Sequence, residues 1–148
     1  MDIKAQLSEA LKDAMRSGDA VRKTTVRMAL AAIKQAEIDR RTDLDEGAIL
    51  ALIQKEVKNR KEALEEAIKA ERDDLVEANQ AEIAVLEDFL PEAMSPDELR
   101  EIVSAAIAET GASAMSDMGK VMKVALSQVA GRAPGGEVSA MVKELLSQ

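Results

Sequence analysis

The residues best suited to chemistry are Lys120, Lys123 and Arg132, three cations near the carboxyl end of the chain. The two lysines lie in the segment DMGKVMK, which begins at Asp117, and no acid occurs between that residue and Glu137. Cations without acidic neighbours in sequence favour contacts with a phosphate backbone, and the glycine of this segment lets another backbone approach closely. The same glycine could instead allow close packing of two helices, and the sequence leaves this alternative open.

Two further groups of cations occur in the first half of the chain. On one predicted helix, four basic residues lie within roughly 40° of one another around the helix axis, since each residue advances by about 100°. We call these four residues the basic ridge. This ridge could contact phosphates, and a solvated helix face explains it equally simply. A second group lies among glutamates, so i,i+4 ion pairs are an alternative explanation for it. We take Arg27 from the first group and Lys58 from the second as further candidate RNA contacts. The first group is Lys23, Arg27, Lys34 and Arg41, and the second is Lys55, Lys58, Arg60 and Lys61.

The composition excludes most kinds of active site. The 148 residues contain no His, Cys, Trp or Tyr and a single Phe. A thiolate nucleophile, an imidazole base and a zinc site of the usual N/S ligands are therefore excluded. We predict no catalytic residue, no metal site and no cofactor. The net charge of −8 argues against a general nucleic-acid binder, and we expect no DNA partner.

The sequence also bears on location. No apolar run approaches the ~20 residues that span a bilayer, so no membrane partner is expected. The amino-terminal segment MDIKAQLSEA lacks the apolar core of a signal peptide. The absence of cysteine gives no indication of an oxidising compartment. Together these features predict a soluble protein of the cytoplasm.

The elements that would position the cations are all helices. Ala, Glu, Lys, Leu and Met are frequent, and β-branched runs bounded by turn residues are missing, which predicts an all-α fold. The clearest boundary is the segment PEAMSPDE at 91–98, where one proline ends a helix and Ser95 and Pro96 begin the next. We predict a helical amino-terminal domain of four helices over residues 1–91 and a domain of three helices over residues 95–148.

Local signals set several predicted helix ends. Asp45 and Ser95 are predicted N-caps, Asp74 with Glu77 has capping-box spacing, and Gly111 is a predicted stop. The second helix, from about Ala20 to Arg41, is expected to carry an apolar stripe on the side away from its basic ridge. That stripe consists of Val21, Thr25, Met28, Ala32 and Ala36.

Several motifs resemble those of the GatB/YqeY family, and they follow the same order along essentially the whole chain. Two departures from the family pattern are Lys123, where glycine is common, and Pro134, where an acid is common. The motifs are VRM at 26–28, KEVKNRK at 55–61, LP at 90–91, DMGKVM at 117–122, GRA at 131–133 and a closing helix with the pattern Val-x-x-Leu-Leu.

The resemblance implies a four-helix unit followed by a three-helix unit. The second unit is similar to the tail domain of the B subunit of the glutamine-dependent aminoacyl-tRNA amidotransferase, where the tail helps to hold the tRNA body. tRNA is therefore the implied partner, together with proteins of translation or of the amidotransferase. The matching motif positions Asp117, Met118, Gly119 and Gly131 are taken as structural residues.

Three functional hypotheses follow. In the first, the chain is a tRNA-binding accessory protein related to the amidotransferase, and Lys120, Lys123 and Arg132 contact the tRNA backbone. In the second, it is linked to carbon–nitrogen ligase activity with glutamine as amide donor, which is the family-level label. We do not expect the chain to catalyse this reaction alone, because it has no recognisable ATP site or hydrolase core. In the third, it is a non-catalytic protein-interaction adaptor.

Overall fold

The computed structural model describes residues 2–148 and contains only helices within them, which confirms the predicted all-α class. Four helices are followed by three, in agreement with the expected arrangement. A short 3-10 helix, Met115–Asp117, precedes α6. The helices are α1 (Ile3–Ser17), α2 (Ala20–Arg40), α3 (Glu46–Lys69), α4 (Asp73–Glu87), α5 (Pro96–Thr110), α6 (Met118–Val129) and α7 (Gly135–Leu146).

The chain divides into two compact units between Leu90 and Pro91. We call them the amino-terminal unit, which holds α1 to α4, and the carboxyl-terminal unit, which holds α5 to α7. Among the described residues, no helix has the length and apolar content needed to cross a bilayer.

Each unit has its own apolar core. In the amino-terminal unit, each of the four helices contributes a side chain with no exposed surface, namely Leu7, Val26, Ile53 and Leu86. In the carboxyl-terminal unit, valines that are also fully buried come from all three helices. Removal of this apolar surface from water is the main stabilising contribution to each unit. The valines are Val103, Val121, Val138 and Val142.

The helix ends follow local capping chemistry. The Asp45 carboxylate and the Ser95 hydroxyl each accept the backbone N–H three residues further on, at 2.8 and 3.2 Å, so both predicted N-caps are confirmed. Gly111 ends α5 with a positive φ of 68°, as predicted. The expected capping box at Asp74 is wrong, because α4 begins at Asp73, so that Asp74 lies inside the helix and Arg72 is an N-cap without a side-chain bond.

α2 turns a different face to the core from the one expected. Its buried residues are Thr25, Val26, Ala29 and Ile33. The predicted apolar stripe is therefore right at Thr25 and wrong at Val21 and Met28, which are 47% and 51% exposed. Val26, Ala29 and Ile33 are as apolar as the residues of that stripe, so periodicity alone does not choose between the two faces. The choice is made by packing, and it leaves an uncharged face of α2 in water.

Glu37 links three segments of the amino-terminal unit. Its carboxylate accepts two hydrogen bonds from the Lys4 ammonium group of α1, at 2.8 and 2.9 Å. It also accepts the Leu44 backbone N–H at 2.9 Å, in the loop that leads to α3. The bond from Lys4, followed by the bond from Leu44, lowers the pKa of Glu37. The ionised carboxylate therefore stabilises the folded unit.

This pKa shift predicts a pH-dependent stability. A carboxyl group whose folded pKa is depressed stabilises the fold above its ordinary value, here 4.5, and the stabilisation is lost as pH falls through the folded pKa. We expect Glu37→Gln to melt at a lower temperature than the wild type at pH 7, as followed by circular dichroism, and the difference to shrink in acid. Glu65→Gln, at an exposed site, is the control. A difference that is constant down to pH 3 would contradict this role.

Candidate nucleic-acid interface

The start of α6 is fixed by Asp117. Its carboxylate accepts the backbone N–H groups of Ser113 and Ala114, at 3.1 and 3.4 Å, and so closes the loop between α5 and α6. The bond from Ser113 is the main cause of the lowered pKa of Asp117, and the positive charge of Lys120 adds to it. Met118 packs against the core of the carboxyl-terminal unit. The structural role expected for this motif therefore has a physical basis at these two residues.

Packing of α6 determines which of its side chains reach solvent. Val121, Ala125 and Val129 face the core and are at most 1% exposed. Lys120 and Lys123 fall on the other side, on the wall of an open groove of about 630 Å³. We call this the α6 groove. Its lining comes from α5 and α6 and consists of Glu109, Thr110, Lys120, Lys123, Val124, Ser127 and Gln128.

Neither lysine of the α6 groove is neutralised by an ion pair, although the charge of Lys120 is felt by the Asp117 carboxylate. Neither forms an ion pair with any of residues 2–148, although Glu109 lies in the same groove. Both side chains are exposed. Lys120 and Lys123 lie about one helical turn apart on α6, and the Ser127 hydroxyl and the Gln128 amide line the same groove. All four groups can donate hydrogen bonds to anionic oxygens. The groove can therefore bind an anion that is at least as long as one turn of helix.

Gly119 does not serve helix packing within the described part of the chain. A Cβ atom added at this position would meet nothing within 4 Å, and the residue is exposed. The alternative of close helix packing is therefore wrong. Gly119 leaves the backbone of the first turn of α6 open to solvent, directly before Lys120.

Arg132 lies outside the α6 groove and has partners of its own. Its guanidinium donates to the Glu92 backbone carbonyl at 3.1 Å and to the Glu98 carboxylate at 3.0 Å. Its backbone carbonyl accepts the N–H of Met94 at 3.0 Å. These bonds hold the turn after α6 against the segment that leads into α5. The structure therefore does not bring Arg132 together with Lys120 and Lys123.

Gly131 has a conformational role in the same turn. Its φ of 81° directly follows the φ of 50° at Ala130, so the chain is left-handed at two consecutive residues. Side chains with a Cβ rarely adopt this region, which explains a glycine at the second position. The turn places Arg132 beside Glu98. Gly131 thus has the structural role that the motif implied.

Arg27 and Lys58 belong to the amino-terminal unit, on α2 and α3. Both are exposed, and neither forms an ion pair with any residue that the structure describes. The i,i+4 alternative is confirmed for Arg60, whose guanidinium lies 2.7 Å from the Glu56 carboxylate, and it is wrong for Lys58. Lys58 thus keeps an unpaired charge on the surface of α3.

Sequence reasoning missed the other residues of the α6 groove. Ser127 and Gln128 continue the face of Lys120 at spacings of seven and eight, so helical periodicity could have found them. Glu109 and Thr110 come from α5, and only the tertiary structure shows that they belong there. Among residues 2–148, no three acidic side chains converge as a metal site would require.

Comparison with known proteins identifies relatives. The family model described as Yqey-like protein matches residues 4–146. Several relatives carry the name "Altered inheritance of mitochondria protein 41, mitochondrial", among them the following three. The one from Lachancea thermotolerans is 43% identical over 91 residues, covering 61% of this chain and 49% of that protein. The one from Kluyveromyces lactis is 42% identical over 86 residues, covering 57% and 46%. The one from Pyrenophora tritici-repentis is 33% identical over 144 residues, covering 95% and 79%.

These names contradict the expected cytoplasmic location, because all three relatives are described as mitochondrial. The prediction rested on the absence of an apolar span, of a signal-peptide core and of cysteine, and none of these features distinguishes the cytoplasm from the mitochondrion. The chain spans about half the length of the first two relatives. The family match covers nearly all of the chain, including the DMGKVM motif and every residue of α2 to α7. The chain therefore belongs to the Yqey-like protein family.

Proposed function

We propose that this chain is a tRNA-binding accessory protein related to the glutamine-dependent aminoacyl-tRNA amidotransferase, and that its carboxyl-terminal unit contacts the tRNA backbone. The observation that carries the proposal is the α6 groove, where Lys120 and Lys123 line one wall and form no ion pair with any of residues 2–148. Contacts with phosphates supply most of the affinity of nucleic-acid binding proteins, and they need cations that are not already neutralised.

The local positive charge of the α6 groove supports RNA binding in spite of the negative net charge of the chain. The chain has a net charge of −8, yet no acid occurs in residues 118–136. At a Debye length of roughly 8–10 Å, a phosphate in the groove interacts mainly with nearby groups. The open backbone at Gly119 lets a phosphate approach the first turn of α6, whose N–H groups favour anions. Local charge therefore outweighs net charge at this surface.

The mixed lining of the groove favours RNA over DNA. Ser127 and Gln128 can donate hydrogen bonds to sugar or phosphate oxygens, and the Glu109 carboxylate can accept one. The ribose 2′-hydroxyl is both a donor and an acceptor, and proteins use it to distinguish RNA from DNA. A groove with two cations and one acceptor therefore fits a phosphate followed by a ribose.

The proposal predicts a change in the salt dependence of binding. A labelled tRNA is titrated at several salt concentrations with the wild type and with Lys120→Ala/Lys123→Ala. Each phosphate contact that is lost should flatten the slope of log K against log salt by roughly 0.7–0.9. The control, Lys12→Ala/Lys55→Ala, removes the same charge from exposed, unpaired lysines of the amino-terminal unit. Its slope should equal that of the wild type.

The Lys120→Ala/Lys123→Ala variant keeps Arg132, because Arg132 bonds to Glu92 and Glu98 and its removal would alter the turn after α6. Absence of wild-type binding at low salt would overturn the proposal. Equal losses in the two lysine variants would also overturn it, since they would show attraction by net charge rather than by the α6 groove.

A further inference from the structure

The outward face of α2 has the residue pattern of a coiled-coil seam. Six exposed residues follow one another at alternating spacings of three and four, and none of them is charged. The opposite side of the helix, at Val26, Ala29 and Ile33, is buried in the core of the amino-terminal unit. We call the six residues the α2 seam. They are Val21, Thr24, Met28, Ala31, Gln35 and Ile38.

The α2 seam is apolar enough to bind another helix. Val21, Met28 and Ile38 are 47%, 51% and 58% exposed, and they are among the large apolar side chains that the amino-terminal unit leaves in water. They occupy a and d positions of the same heptad frame, which places them along one strip of the helix. An amphipathic helix laid along this line would remove all three from water at once.

Three cations flank one side of the α2 seam. Arg27 and Lys34 are seven residues apart, at the position that coiled coils call g, where charged groups select the partner, and Arg41 follows at the left-handed C-cap of α2. All three are exposed, and none forms an ion pair within residues 2–148. Glu37 is paired with Lys4, and Asp39 lies at the e position, on the other edge of the seam. The g edge of the seam is therefore positive.

Charge complementarity selects the occupant. A second copy of α2 in antiparallel orientation would place its g cations against these cations, which like charges disfavour. A second copy in parallel orientation would place only one of the three cations, Lys34, beside an acid, which is Asp39 of the other copy. RNA would satisfy the cations and leave Met28 and its apolar neighbours in water. We propose that the α2 seam binds an amphipathic helix of a partner protein that carries acidic residues beside its apolar stripe.

A designed peptide tests the proposal directly. The probe is a fluorescent three-heptad helix with leucine at the a and d positions and glutamate at e and g, so that it repels its own copies and can pair in either orientation. A second peptide with lysine at e and g is the matched control. Fluorescence anisotropy with the full chain should show binding of the glutamate peptide, weakened by salt, and no binding of the lysine peptide.

Variants of the chain locate the binding site. Arg27→Glu/Lys34→Glu should raise the dissociation constant of the glutamate peptide by about tenfold or more and create affinity for the lysine peptide. Lys12→Glu/Lys55→Glu has the same change of net charge and should leave both titrations unchanged. Met28→Ser should weaken binding with every charge in place. Unchanged circular dichroism and melting of each variant would exclude misfolding.

Several results would overturn the inference. These are absence of glutamate-peptide binding at low salt, equal weakening by the two charge reversals, or full binding by Met28→Ser. If Arg27→Glu/Lys34→Glu lost tRNA affinity and left the peptide titration unchanged, the cations of α2 would belong to an RNA surface instead. The tRNA titration with Lys120→Ala/Lys123→Ala is independent of this test, so the two proposals can fail separately.

Discussion

Replacement of Leu86 by alanine is expected to lower the free energy of unfolding of the amino-terminal unit by about 2–5 kcal/mol. Leu86 has no exposed surface and lies in the cluster where all four helices of this unit meet. Truncation of a buried leucine loses its transfer free energy and leaves a cavity that the surrounding helices fill only in part. Because a domain is stable by only about 5–15 kcal/mol, the loss is a large share of the total.

Leu75→Ala is the matched control. It makes the same substitution in the same helix, at a side chain that is 43% exposed, and should change the stability by less than about 0.5 kcal/mol. Amide hydrogen exchange, followed by mass spectrometry, reports on the two units separately. Intrinsic fluorescence cannot do so, because the chain has a single Phe and no Trp or Tyr. Leu86→Ala should accelerate exchange in α1 to α4 and leave α5 to α7 unchanged. Equal acceleration in both would show that the units unfold together.

The features that the sequence predicted correctly are encoded by neighbouring residues. Ser95 caps α5 through a bond to an N–H three residues away, and Gly111 ends α5 because its own φ is positive. Such signals need no knowledge of the tertiary structure, and they define where α5 begins and ends. The all-α class follows from the same local preferences.

The buried face of α2 could not be predicted from the same information. A stripe through Val21 and Met28 and a stripe through Val26 and Ile33 have similar hydrophobicity, and both have helical periodicity. Packing against the other helices of the unit buries the second stripe. α2 therefore has two apolar stripes and buries only one of them in its own unit, and the other forms the α2 seam.

In the candidate site, too, some features follow from local spacing and others depend on the tertiary structure. The common face of Lys120 and Lys123 follows from their spacing, and the structure places both in the α6 groove. Arg132 was grouped with them because it is a cation near a glycine. Its partner Glu98 lies 34 residues away, and only the fold shows that this guanidinium is already bound. Local spacing predicts shared faces, whereas ion pairs between helices depend on packing.

Arg60 provides the other large expected effect. Its side chain is 11% exposed, and its guanidinium lies 2.7 Å from the Glu56 carboxylate on α3 and 3.2 Å from the Glu82 carboxylate on α4. Arg60→Met keeps the apolar stem and removes the charge, which leaves two half-buried carboxylates without a cation. We expect the amino-terminal unit to lose about 1–3 kcal/mol of stability in urea unfolding. Arg16→Met, which removes an exposed pair with Asp13, should cost less than about 1 kcal/mol.

The source of the Arg60 effect can be separated from lost packing. In Arg60→Met/Glu56→Gln/Glu82→Gln, the charges of both carboxylates are removed together with their cation, so the cost of uncompensated charge disappears. Recovery of most of the lost stability in this triple variant would assign the effect to the carboxylates. If the triple variant were as unstable as Arg60→Met, the guanidinium would instead act through its shape and its bond to the Glu56 backbone carbonyl. We expect recovery, because both carboxylates are only about one-third exposed and water screens them incompletely.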